Sequence, residues 1–261
     1  MKRSLIVGNW KMHLDVQAAS MLVHRLDKAI KPHREIEVVL APSLLALQPV
    51  SREIDRRKFR LAAQNAFYKD EGAYTGEVSF TMLRELVHYA IVGHSERRIY
   101  FNDTLEIVRD KVQAAIRNGI TPILCIGETK QERSLGETRR VVHDQLTTAL
   151  ANLTTEEVEQ LVIAYEPVWA ISTFDGETAK PDDIGKVFEL IRAEISELYG
   201  QAAAENVRLL YGGSVNADTV GGYLAIPGCN GTLVGAASLN YQQFSAIVDT
   251  AYRLLHTDEQ A

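Results

Sequence analysis

Eight times along this chain of 261 residues, a short apolar or β-branched run gives way to a longer amphipathic stretch, and no other feature constrains the fold as strongly. The runs lie at 5–7, 37–41, 59–63, 89–92, 121–126, 161–165, 207–211 and 232–234. Each is followed by a helical pattern, as at 16–30, at 104–118 with Gly119 as a stop, and at 182–199 with Gly200 beyond. Strand-sized and helix-sized segments in strict alternation predict a parallel sheet covered by helices. Eight such units in about 250 residues are the size of a closed (β/α)8 barrel, so a single barrel domain over 1–261 is expected. A doubly wound open sheet is the alternative, but no GxGxxG follows the first run and no break in composition marks a second domain.

The 46% of hydrophobic residues is enough for a sizeable core. With 28 basic against 34 acidic residues the formal charge is -6, which argues against a nucleic acid or an anionic membrane as partner, because those need a basic face. Any anionic ligand must then be held locally. Cys125 and Cys229 are too few for a disulfide framework and sit in apolar surroundings, so they read as reduced packing residues of a cytoplasmic protein. The first apolar run has about four residues, too short for a signal-peptide core or a membrane span.

Catalytic residues of a closed barrel collect at the C-terminal ends of its strands, which makes those positions readable. The sixth run ends in Glu166, where Pro167 forbids a helical residue before it and removes an amide hydrogen. One carboxylate at the mouth of an apolar strand is where a general base would stand. The first run ends Gly8-Asn9-Trp10-Lys11, bringing a cation to the same mouth. The fourth ends Gly93-His94-Ser95-Glu96, with His94 facing the axis as a proton donor and Ser95-Glu96 opening a short helix whose N-terminus points at the imidazole. Standing alone, each of these residues would be a solvated charge or a structural histidine; their convergence makes them candidates.

The last two runs end differently, in Tyr211-Gly212-Gly213-Ser214 and Val234-Gly235-Ala236-Ala237-Ser238. Small side chains let backbone N–H groups approach an anion, and a helix N-terminus directly behind adds its dipole, so a phosphate cradle is expected after strands seven and eight.

Five runs, Gly8-Asn9-Trp10-Lys11-Met12, Gly93-His94-Ser95-Glu96-Arg97-Arg98, Cys125-Ile126-Gly127-Glu128, Tyr165-Glu166-Pro167-Val168-Trp169-Ala170 and Tyr211-Gly212-Gly213-Ser214-Val215-Asn216, stand in the order of the signatures of triosephosphate isomerases, and nearly the whole chain resembles that family. The resemblance implies interconversion of dihydroxyacetone phosphate and glyceraldehyde 3-phosphate, in glycolysis and gluconeogenesis, with no metal and no organic cofactor. It implies Glu166 as base, a neutral His94 and Lys11 stabilising an enediolate, Asn9 orienting the same edge, and Glu96 paired with Lys11 or a nearby cation. Phosphate would be held by the N–H groups of Ser172, Ser214, Gly235 and Ala236. A long segment from Gln64 through Glu77 would insert into a partner subunit beside its Lys11 and His94, making Thr75 a contact in trans and the assembly a homodimer. Arg97 and Arg98 read as structural ion pairs.

Two departures from the family pattern stand out. The lid reads Ala170-Ile171-Ser172-Thr173-Phe174-Asp175-Gly176-Glu177-Thr178-Ala179, two residues longer than usual and with Ser and Phe in place of glycines; its tip is expected to close with the Ser172 N–H on the phosphate and Phe174 or Asp175 outward. Ala236 replaces a commoner glycine. An isomerase of a four-carbon sugar phosphate and a non-catalytic phosphate-binding barrel remain as alternative readings, the second opposed by the joint presence of Lys11, His94 and Glu166.

Overall fold

The computed structural model describes residues 3–171 and 178–257. Eight parallel strands, β1 (Ser4–Asn9), β2 (Ile36–Ala41), β3 (Phe59–Ala63), β4 (Tyr89–Val92), β5 (Thr121–Ile126), β6 (Val162–Tyr165), β7 (Arg208–Tyr211) and β8 (Cys229–Val234), pair in sequence order. β1 also pairs with β8, Gly8 opposite Val234, which closes the barrel. Around it run α1 (Val16–Ala29), α2 (Leu44–Glu53), α3 (Phe80–Leu83), α4 (Ser95–Tyr100), α5 (Leu105–Arg117), α6 (Lys130–Ser134), α7 (Thr138–Ala149), α8 (Thr155–Glu159), α9 (Pro181–Tyr199), α10 (Gln201–Asn206), α11 (Val220–Leu224) and α12 (Tyr241–Thr257). No helix among the described residues is long and apolar enough to cross a membrane.

Strand parity divides the apolar residues into two cores. Leu5 and Val7 of β1, Ile123 and Cys125 of β5, and Val162 and Ala164 of β6 pack inside the barrel, while the intervening Ile6, Leu124 and Ile163 pack outward beneath the helices. Burial on both faces is why these strands read as continuous apolar runs. Helix starts follow local chemistry: Asp15 caps α1 by accepting the Ala18 N–H, Thr129 and Thr154 form capping boxes with Glu132 and Glu157, and Pro181 opens α9. Gly119 and Gly200 follow α5 and α9 at φ 70 and 89, backbone angles that a side chain would strain.

Two expectations need correction. β8 begins at Cys229, three residues before the apolar run, because the Asn230 carboxamide accepts the Leu209 N–H and Gly231 lets β8 press on β1; a Cβ there would lie 1.9 Å from the Leu5 carbonyl oxygen. Nor does a long helix follow every strand. After β3 the chain makes the excursion 64–79, which returns through Phe67 N–H donating to the Val78 oxygen at 2.8 Å, and only one helical turn, α3, follows.

Candidate active site

Continuing the inward parity of each strand by one step gives the mouth of the barrel. Val7 leads to Asn9, Ala164 to Glu166, Leu210 to Gly212 and Leu233 to Gly235. These four, with Lys11, His94, Ser214 and Ala236, line one cavity of about 180 Å³.

Glu166 is 2% exposed. Its N–H donates to the Ile126 oxygen at 2.7 Å, prolonging the ladder by one residue before Pro167 ends it. Its carboxylate accepts the Ser95 N–H at 3.3 Å and lies 3.3 Å from His94 Nε2. His94 is the N-cap of α4, and its Nδ1 accepts the Glu96 N–H at 3.2 Å. A backbone N–H can only donate, so Nδ1 keeps its lone pair and the single proton of the ring sits on Nε2, facing Glu166. Two glycines make room for this arrangement. A Cβ at 212 would stand 2.7 Å from Glu166 Cγ, and one at 127 only 1.9 Å from the Glu166 carbonyl oxygen.

Lys11 has φ 52, a left-handed conformation that costs a side-chain-bearing residue on the order of 1–3 kcal/mol. Two amides hold it there: its N–H donates to Asn9 Oδ1 at 3.1 Å, and Gln64 Nε2 donates to its carbonyl at 2.8 Å and to that of Ala41 at 2.8 Å. The ammonium reaches Glu96 Oε1 at 2.6 Å. The Lys11 stem passes Gly235, whose notional Cβ would be 3.7 Å from Lys11 Cε, and so links the two sides of the mouth.

At β7 and β8 the main chain dominates, with adjustments to the expected cradle. α11 starts at Val220, well beyond Gly213, because Asn216 Oδ1 first folds the chain by accepting the N–H groups of Asp218 and Thr219 at 3.0 Å each. After β8 there is a single 3₁₀ turn, Ala236–Leu239, before α12. Among the described residues no long helix starts directly behind either strand. The Ser214 N–H and hydroxyl both donate to the Ala170 oxygen, at 3.0 and 2.8 Å, so this amide is engaged within the protein. No backbone acceptor among the described residues takes the Gly235 or Ala236 N–H. Ser172, Phe174 and Asp175 lie outside the described residues. Thr75 is exposed within the 64–79 excursion and is not among the residues lining this cavity.

The site has members to which the sequence reading gave no chemical role. Glu128, fully buried, accepts the Trp169 indole N–H at 3.0 Å and the Tyr165 hydroxyl at 3.1 Å, and its carbonyl takes the Val168 N–H at 3.0 Å. It therefore fixes the chain on both sides of Glu166. Arg98 donates to the carbonyls of Gly93 and Cys125, at 2.7 and 3.1 Å, stitching β4 to β5 behind the base; burial pushes its pKa down. Arg97 and Lys111 share Asp103, and Lys111 also donates to Asn65 at 2.8 Å, tying α4 to the root of the 64–79 excursion. Burial, then the Glu166 charge, push the Cys125 thiol well up; burial pushes Cys229 up to about 11, so both free thiols stay protonated at neutral pH. Glu128 closes the run Cys125-Ile126-Gly127-Glu128 that helped carry the family resemblance, but its place just past β5 did not say what it does.

A closed parallel barrel with ionisable side chains at its C-terminal mouth is the build of a (β/α)8-barrel enzyme. A family model described as triosephosphate isomerase matches residues 4–251. The triosephosphate isomerase of Carboxydothermus hydrogenoformans is 44% identical over 249 residues, 95% of this chain and 98% of that protein. That of Caldanaerobacter subterraneus subsp. tengcongensis is 45% identical over 95% of this chain and 100% of its own length, and that of Chloroherpeton thalassium 42% over 96% and 100%. The chain belongs to the triosephosphate isomerase family and is an isomerase.

Proposed function

We propose that this chain interconverts dihydroxyacetone phosphate and glyceraldehyde 3-phosphate through an enediolate, with Glu166 as the base. The observation that carries the reading is the 3.3 Å approach of His94 Nε2 to Glu166 Oε1 in one cavity with Lys11, beside main-chain donors at Gly235 and Ala236. Glu166 takes a proton from the carbon next to the carbonyl. Negative charge then grows on the carbonyl oxygen, where the His94 Nε2–H and the Lys11 ammonium stabilise it; the hydroxyl proton passes from one enediolate oxygen to the other, with His94 Nε2 giving a proton to the first and taking one from the second, and Glu166 returns its proton to the neighbouring carbon. Asn9 and Glu96 serve by holding Lys11. Phosphate takes the Gly235 and Ala236 N–H groups, and the Ser214 N–H once it leaves the Ala170 oxygen. Ser172 completes this set by resemblance to the family. The setting is the cytoplasm, in glycolysis and gluconeogenesis, and the whole chain forms one barrel domain. Coupled assays with three- and four-carbon aldose and ketose phosphates test this, with fastest turnover expected on the trioses. Faster turnover of a four-carbon substrate would move the reading to that substrate class, and binding without turnover would make the barrel a phosphate binder.

The same reading includes a homodimer. Beyond Lys11 lies a groove lined by Met12, Leu44, Gln64, Asn65, Glu96 and Phe101, and its apolar members are exposed, Met12 at 95% and Phe101 at 63%. A second copy's 64–79 excursion, carrying Thr75 and packed internally by Phe67 on Tyr68 and Tyr74, is the occupant we assign. Thr75→Arg is expected to shift sedimentation toward monomer and lower activity together. A fully active monomer would refute the assignment.

A further inference from the structure

We infer that Arg133 is a positioning residue for the reaction: its guanidinium ties the chain leaving β6, just past Glu166, to the start of α9, where the chain returns. The role assigned to Glu166 rests on the isomerase reading above; the tie itself does not.

α6 is a short helix fixed at its start by the Thr129 and Glu132 capping box, and it presents Arg133 toward Glu128. Tyr165, Val168 and Trp169, which bracket Glu166, all bond to Glu128. A carboxylate taken fully out of water needs compensating charge, and Arg133 Nη1 stands 3.7 Å from its Oε1. The guanidinium carbon of Arg133 also lies 4.4 Å from the centre of the Trp169 ring. In the other direction Arg133 Nη2 donates to Asp183 Oδ2 at 2.9 Å. Asp183 sits in the first turn of α9, where its N–H donates to the Lys180 oxygen at 3.0 Å.

An ordinary surface pair joins one cation to one carboxylate. Here one planar fork reaches two carboxylates, Glu128 just past β5 and Asp183 at the start of α9, and lies against the indole of Trp169 on the chain leaving β6. Only arginine combines a rigid fork with a stacking face; lysine would supply the charge at one point. Glu166 is three residues from Trp169, so a shift of this anchor is passed to the base, and a misplacement of about 1 Å costs on the order of 100-fold in rate.

The test uses the full chain with Arg133→Met, Arg133→Lys and Asp183→Asn, reading kcat and KM on the triose phosphates and amide hydrogen exchange at 168–171 and 178–183. Asp183→Asn changes only the returning side, yet it is expected to raise exchange at 168–171 by about threefold or more, with no change in β1. Arg133→Met is expected to raise exchange in both segments and lower kcat about tenfold with KM within about twofold, and Arg133→Lys to fall between it and wild type. Unchanged exchange at 168–171 in Asp183→Asn, or an Arg133→Lys indistinguishable from Arg133→Met in stability and kcat loss alike, would overturn the inference. Should Arg133→Met fail to fold, the other two variants decide. If wild type turns over no triose phosphate, the functional reading fails while the exchange result still judges the tie.

Discussion

The two sides of the barrel mouth solve different problems with different parts of the chain. In the proposed reaction the working groups at β1, β4 and β6 are side chains, and each is held by a named partner: Glu166 by the Ser95 N–H, His94 by the Glu96 N–H, Lys11 by Glu96. Those proposed at β7 and β8 are backbone amides flanked by Gly212, Gly213, Gly235 and Ala236. Moving a proton to one carbon requires a titratable atom at one place, so side chains are used and their freedom is removed. Receiving an anion with several equivalent oxygens requires close approach and many donors, which main chain without side chains supplies. Glu128, Arg98 and Gln64 serve the first side, and it is there that the structure concentrates buried polar partners.

The comparison can be broken most forcefully at the base. Glu166→Gln keeps the shape and removes the proton acceptor, so kcat is expected to fall by about 10³-fold or more while binding of a phosphate-bearing inhibitor by titration changes by less than about tenfold. Near-normal turnover would take Glu166 out of the mechanism. Lys11→Met comes next, with about 100-fold loss in kcat/KM shared between kcat and KM, since in the proposed reaction its charge serves both the bound anion and the oxyanion. A change confined to melting temperature would make Lys11 structural.

Glycines sharpen the contrast, because two of them on the phosphate side face opposite consequences. Gly212→Ala places a Cβ 2.7 Å from Glu166 Cγ and is expected to lower kcat by about tenfold or more, through the base rather than the phosphate. Gly235→Ala meets the Lys11 side chain at ordinary contact distance, Cε at 3.7 Å and Nζ at 4.0 Å, and is expected to keep kcat within about threefold. Equal losses in the two variants, measured as kcat against KM, would erase the distinction.

The smallest effect is remote from the mouth. His143 on α7 pairs with the buried Glu194 on α9 at 2.8 Å, and that hydrogen bond raises the histidine pKa. Because the folded value is the higher one, the contribution is full below the unfolded value of about 6.5 and disappears as pH rises through the folded value. Comparing melting temperatures of wild type and His143→Gln from about pH 5.5 to about pH 8.5, roughly one unit below that value to roughly two above it, should show a gap that narrows with pH while kcat stays the same. A constant gap would mean packing, not titration.

Much of this architecture was written locally. Strands 89–92 and 121–126 coincide with β4 and β5 to the residue, since runs buried on both faces and bounded by turn residues admit one reading. The inward parity that carries Glu166, Gly212 and Gly235 to the mouth is likewise a property of spacing along a strand. Family membership was also legible, from five ordered runs. What local order could not carry were partners far apart in sequence. Gln64 holding Lys11 spans 53 positions, Trp169 on Glu128 spans 41, and Arg133 to Asp183 spans 50. Behind Gly213 the expected helix start is displaced to Val220, because the Asn216 side chain first turns the chain, whereas behind Gly235 a helical turn does begin at once but is a single 3₁₀ turn, Ala236–Leu239. Sequence alone thus determined the barrel, its mouth and the kinds of groups gathered there, because hydrophobic periodicity and strand parity act between near neighbours. Tertiary structure alone decided that the His94 imidazole and the Ser95 N–H meet Glu166, how Gln64 helps hold Lys11 at φ 52, and which buried carboxylate anchors the exit from β6, because contacts between distant segments exist only once closure has brought them together.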